Sequence, residues 1–134
     1  MAFQIYPQRS LKNQKKRDTP LLFTLTTYAS AGTLRNMKAT ELFHRRIPYS
    51  ESSFAELVLW QLPAPLPGSA HSYKYRLAYV VHGVCVLRYD NESDKGDHRH
   101  YRDKETRYVF DTVEKLLAAF QRDIERINRE DRDS

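Results

Sequence analysis

The chain has 134 residues, a single cysteine and no apolar run near the ~20 residues needed to span a bilayer. That length holds one domain with one core, and the lone Cys85 excludes an internal disulfide and suits a reducing, cytoplasmic location. The net charge of +5 points to nucleic acid less than it first promises: residues 1–36 carry six Lys/Arg against Asp18 alone, and the remaining 16 bases and 16 acids cancel, so only local patches can argue for such a partner.

Residues 1–36 read as a basic leader, either flexible or translated from a start codon upstream of a more natural beginning at Met37. Two other readings stand beside it. One is a secretory signal with a basic n-region, an apolar stretch from Leu21 and a small-residue site at Ala29-Ser30-Ala31; the other is a strand of the domain. Residues 37–134 read as a single domain. KATELFHRRI (38–47) alternates as a first strand, and FAELVLWQL (54–62) forms a second. Pro63, Pro65 and Pro67 forbid a central strand and make a stiff connection in preference to a PxxP ligand.

The next segment carries the strongest hairpin signal. YKYRLAYVV (73–81) and VCVLRYD (84–90) flank His82-Gly83, where Gly83 supplies positive φ and His82 tolerates it. That register opposes Val81 to Val84 and Tyr79 to Val86. Both strands are apolar on two faces, so this hairpin belongs at the centre of the sheet, with Cys85 a buried small hydrophobe. Asp90-Asn91 reads as turn chemistry, HRHYRD as a further short strand and RYVF (107–110) as one more. Val113, Leu116, Leu117, Phe120, Ile124 and Ile127 form one helical stripe, with Asp111 and Glu114 as a capping box. Arg122, Asp123, Arg126, Arg129 and Asp131 lie off the stripe, toward solvent, and the tail RINREDRDS should fray. The fold expected is α+β: an antiparallel meander of five to six strands with a central hairpin, packed by one long C-terminal helix.

Chemistry concentrates in residues 88–102, RYDNESDKGDHRHYR. In a strand beginning near Asp97, His98 and His100 share one face while Asp97, Arg99 and Tyr101 take the other. Two imidazoles near cations suit proton transfer beside a phosphate. Arg99 and Lys95 are candidates to hold that phosphate, and Gly96 permits close backbone approach. These parts would suffice for metal-free RNA cleavage in which the 2′-hydroxyl attacks its own phosphodiester, without a cofactor. Metal binding by Asp90, Glu92, Asp97, His98 and His100 is a weaker reading, because HxH lacks a third well-placed ligand. The bland reading is a solvated charged loop. Lys74, Arg76 and Arg88 are interleaved with Tyr73, Tyr75, Tyr79 and Tyr89, a pattern that serves single strands and core packing alike. Tyr79 is assigned to the core and Arg88 to an exposed role, and His44 and His71 read as incidental.

From Met37 to about Ile127 the chain resembles the TumE family of small bacterial and archaeal proteins, toxin components of two-gene toxin–antitoxin modules. The matching text is MKATELFHRR, LWQLPAPLPGSAHSYKYRLAYVVHGVCVLRYDNE, KGDHRHY and YVFDTVEKLLAAFQRDI. The resemblance implies a toxin that acts as a ribonuclease on RNA and is neutralised by a helix-turn-helix antitoxin. Its motif falls on Arg88, Tyr89, Asp90, Asn91, Glu92, Lys95, Gly96, Asp97, His98, Arg99 and His100. On this basis His98 and His100 are the expected acid and base. Arg99 and Lys95 would stabilise phosphate, and Asp97 would orient a His or pair with Arg99. Arg88, Arg76, Tyr89 and Tyr101 would contact RNA, while Asp90, Asn91, Glu92 and Gly96 would shape the motif. Ser93-Asp94 departs from a family Gly and adds negative charge. A non-enzymatic binding module, or an inactive copy, is the alternative.

Overall fold

The computed structural model describes residues 38–134, so the three readings of the leader lie outside the described residues. Six strands follow in chain order: β1 Thr40–Ser50, β2 Ser53–Gln61, β3 Tyr73–Val81, β4 Val84–Glu92, β5 Gly96–Tyr101 and β6 Lys104–Arg107. They pair antiparallel, each with its sequence neighbour, in the order β1-β2-β3-β4-β5-β6. One helix, α1, spans Val113–Asp133. This is the expected α+β meander with the β3–β4 hairpin at its centre. Pro48 lies on an edge strand and beside a register shift, the positions in a sheet where proline is tolerated.

Strand alternation divides the sheet into two faces. Ile47, Ala55, Leu57, Leu59, Tyr75, Leu77, Tyr79, Leu87 and Tyr89 point one way and form a single core with Leu116, Phe120, Ile124 and Ile127 of α1. Phe120 is fully buried, and removing such a ring from water stabilises the fold by about 2–3 kcal/mol. Polar contacts fasten the helix at its edges. Tyr79 Oη donates to Asn128 Oδ1 at 2.7 Å, Tyr49 Oη to Gln121 Oε1 at 3.3 Å, and Tyr101 Oη to Glu130 Oε1 at 2.9 Å.

Several local expectations are corrected. His82 and Gly83 do adopt positive φ (49° and 79°), and Val81 does oppose Val84, but Tyr79 opposes Leu87 rather than Val86. A bulge causes this: Val80 faces Cys85, so Val86 is the extra residue, and its carbonyl accepts from Arg102 N at 2.8 Å. Cys85 is exposed, not buried, because it opposes Val80, the strand neighbour of the core residue Tyr79, and so lies on the face away from the helix. Asp90 and Asn91 lie within β4 rather than in a turn, and the reversal is made by residues 93–95. The last strand is Lys104–Arg107, shifted from RYVF toward the residues directly opposite β5. The helix N-cap is Thr112, not Asp111: Thr112 Oγ1 accepts from Lys115 N at 3.1 Å, and Asp111 instead takes Lys115 Nζ at 2.6 Å. The tail expected to fray is helical through Asp133. Among the described residues no helix is long and apolar enough to cross a membrane.

Candidate active site

The site is built on the face of β4–β6 that points away from α1. Cross-strand pairing sets its rows. Arg76 opposes Asp90, Asp90 opposes His98 and His98 opposes Arg107; in the next row Arg88 opposes His100 and His100 opposes Glu105. Residues i and i+2 on a strand lie about 6–7 Å apart, so His98 and His100 stand side by side on this face, with the Glu105 carboxylate beside both. Each side chain is partly open, 21% for His98 and 27% for His100.

The hydrogen-bond partners give the two rings different characters. His98 Nε2 lies 2.7 Å from Lys95 O, a carbonyl that only accepts, and its Nδ1 lies 3.1 Å from Glu105 Oε2. Both nitrogens of His98 therefore face acceptors, and a proton on each is satisfied. His100 Nε2 lies 3.0 Å from Arg88 Nη2. A guanidinium only donates, so this nitrogen carries the lone pair. Arg88 Nε lies 3.0 Å from Asp90 Oδ2 as an ion pair, without the alignment of a hydrogen bond. Glu105 Oε2 also lies 3.6 Å from His100 Nε2, so one carboxylate spans both imidazoles.

Two glycine-like backbone positions shape the entry to β5. Gly96 has φ +76° and Asp94 has φ +67°. The need for Gly96 is therefore conformational. Asp94 N donates to Pro67 O at 2.8 Å, which ties the proline-containing connection to this turn. Lys95 is solvent-exposed and 3.6 Å from Glu92, an i,i+3 surface pair of little energetic weight.

The other expected site residues are placed elsewhere. Asp97 and Arg99 point to the helix side of β5 and are not brought together with the imidazoles. Asp97 Oδ2 accepts from Tyr75 Oη at 2.5 Å and binds His71 Nε2 at 2.8 Å. His71 Nδ1 accepts from Tyr73 N at 3.2 Å, and its ring stacks on Phe110 at 4.0 Å, so Asp97 does orient a histidine, but that histidine is His71. Arg99 Nε donates to Asp123 Oδ2 at 2.7 Å and to Tyr89 Oη at 3.2 Å; Asp123, read as solvated, is the partner that raises the Arg99 pKa. Tyr89 is core, and burial followed by its bond to Asp123 pushes its phenol upward. Tyr101 lies on the same side, under the guanidinium of Arg99 at 4.8 Å.

Asn91 is structural in a specific way. Its amide copies a peptide group: Oδ1 accepts from Tyr75 N at 3.0 Å and Nδ2 donates to Tyr73 O at 2.7 Å, continuing the ladder where β4 leaves β3. Lys74 is buried and donates to Asn91 O, and burial lowers its pKa. The sequence reading missed Glu105, Arg107, His71 and Asp123, and only an HxH strand facing an ExR strand offered a signal for the first two. Among the described residues no group of three or more His, Cys, Asp or Glu is arranged to hold a metal ion. A family model described as Toxin TumE matches residues 30–128. No curated protein and no solved structure matches the chain.

Proposed function

Because the chain belongs to the TumE toxin family, we propose that its toxicity is exerted by cleaving RNA, without a metal, on the His98/His100 face of the sheet. The observation that carries the reading is the pairing of two partly open imidazoles on one face, with opposite hydrogen-bonding characters. Such a pair supports transfer of a proton from the 2′-hydroxyl and to the leaving 5′-oxygen. Arg88 and Arg76 lie on this face and Lys95 at the turn leading into it, where they oppose the charge that grows on the phosphate. The roles first expected of Asp97, Arg99, Tyr89 and Tyr101 become structural in this reading, because all four serve the helix side. Membership of a toxin family implies a neutralising partner; we take it to be an antitoxin of the helix-turn-helix class that covers this face in a cytoplasmic complex.

The test is cleavage of a defined RNA by purified protein in EDTA. Wild type should cut, and His98→Ala and His100→Ala should each lose about 10²–10⁴-fold. Equal rates in all three would rule out the assignment, and loss of wild-type activity in EDTA would replace it with a metal-dependent one. One feature favours a second reading, binding without cleavage: Glu105 already takes His98 Nδ1 at 3.1 Å and Glu92 pairs with Lys95. Growth inhibition that survives loss of both imidazoles, but not of Lys95, would select it.

A further inference from the structure

Free lone pairs decide which group on this face can take a proton. His100 Nε2 directs its own at Arg88 Nη2, 3.0 Å away. His98 is donor-like at both nitrogens, toward Lys95 O at 2.7 Å and Glu105 Oε2 at 3.1 Å. Asp90, the carboxylate on β4, has a side chain only 14% exposed and is held at 3.0 Å by Arg88 Nε. Glu105 differs. Its side chain is 55% exposed, it stands within 3.1 Å of one imidazole and 3.6 Å of the other, and among the described residues no lysine or arginine is paired with it. A carboxylate offers about four lone-pair sites, and these two contacts leave most of them open toward solvent.

We propose that Glu105 is the general base of RNA cleavage, with His98 the general acid and His100, held by Arg88, a contact for the phosphate. This rests on the ribonuclease reading above and replaces its two-histidine division of labour. In the step, the O2′–H bond breaks and the proton goes to the Glu105 carboxylate. O2′ forms a bond to phosphorus, the P–O5′ bond breaks, and the leaving oxygen takes the proton of His98. The products are a 2′,3′-cyclic phosphate end and a 5′-hydroxyl end, with no oxidant or reductant required. Arg107, directly across from His98 on β6, and Arg88 offset the repulsion between Glu105 and the phosphate.

The experiment compares wild type, Glu105→Gln, Glu105→Asp and His98→Asn on a short RNA in EDTA, across a range of pH. Glu105 is an exposed residue of an edge strand, so Gln keeps the fold. In Glu105→Gln, kcat should fall about 10²–10⁴-fold with KM within a few-fold, and the acid-side limb of the kcat/KM profile should disappear. Glu105→Asp should recover part of the rate, and His98→Asn should lose the alkaline limb instead. A Glu105→Gln protein as active as wild type, or more active, would show a carboxylate that merely competes with phosphate. A slower one that keeps its acid limb would show a carboxylate that only orients His98, and either result overturns the proposal. If wild type cleaves and the histidine variants fail while Glu105→Gln does not, this assignment alone falls. If wild type leaves RNA intact, the ribonuclease reading falls and takes this with it.

Discussion

Asp97 shows how a single residue in a catalytic-looking motif can belong to the scaffold. Its carboxylate is 11% exposed and receives both the Tyr75 hydroxyl and His71 Nε2. Asp97→Ala would leave those two donors without a partner, and an unsatisfied buried donor costs about 1–3 kcal/mol. A urea midpoint lowered accordingly, with unchanged RNA cleavage per folded molecule, is expected; lost cleavage at unchanged stability would return Asp97 to the chemistry. Its side of the strand was legible, since period-two alternation alone separates it from His98 and His100. Its partner was not, because His71 arrives from a loop 26 positions earlier and nothing local marks it as a ligand of Asp97. The same distinction holds for Asp94. A sequence shows its charge, whereas only the backbone shows its φ of +67°, a region that glycine enters more easily than aspartate.

At the scale of elements, β5 is the piece that couples the two faces, offering imidazoles on one side and clamping α1 with the other. Arg99 and Asp123 meet at 2.7 Å with side chains 25% and 14% exposed, so the pair is shielded from full solvent screening. Arg99→Ala should destabilise the fold, and a double-mutant cycle with Asp123→Ala should give a coupling energy of about 1–2 kcal/mol. Additive effects would mean that the clamp contributes nothing to docking the helix. The first five strands, the central hairpin and the helix stripe were readable because each follows from its own periodicity. The bulge at Val86 was not, because inserting one residue leaves the apolar composition of VCVLRYD unchanged and alters only pairing. Nor was the cap: Asp111 and Thr112 are both good capping residues one position apart, and only backbone geometry chooses Thr112. Strand β6 escaped because KETR has no apolar face to bury, and its pairing with β5 is what makes it a strand.

Over the whole molecule the sheet separates its two tasks, with tyrosines and aliphatics holding the helix on one side and the candidate proton-transfer groups on the other, so stability and cleavage should respond to different perturbations. Alkaline pH probes the first. Burial, the largest cause in each case, raises Tyr49 to about 12 and pushes Tyr75 and Tyr89 further still, with Asp97 and Asp123 adding to the last two. In the unfolded chain these phenols ionise at their ordinary value of 10.0. Below that pH both states keep the protons and the tyrosine contribution is fully present; above it the unfolded state releases them first, and stability is lost as pH climbs toward the folded values. Lys74 works in the opposite direction. Its folded pKa is lowered by burial, so between that value and 10.5 the unfolded state binds more protons and stability rises with pH. Three tyrosines outweigh one lysine, and the lysine's window closes at 10.5 while theirs continues upward. The urea midpoint should therefore fall steeply above about pH 10. Tyr89→Phe should make that fall shallower by removing one of the three phenols, while Asp123 stays paired with Arg99. A midpoint that holds at strongly alkaline pH, or a slope that Tyr89→Phe leaves unchanged, would mean that the helix-side hydroxyls are not the groups that tie this sheet to its helix.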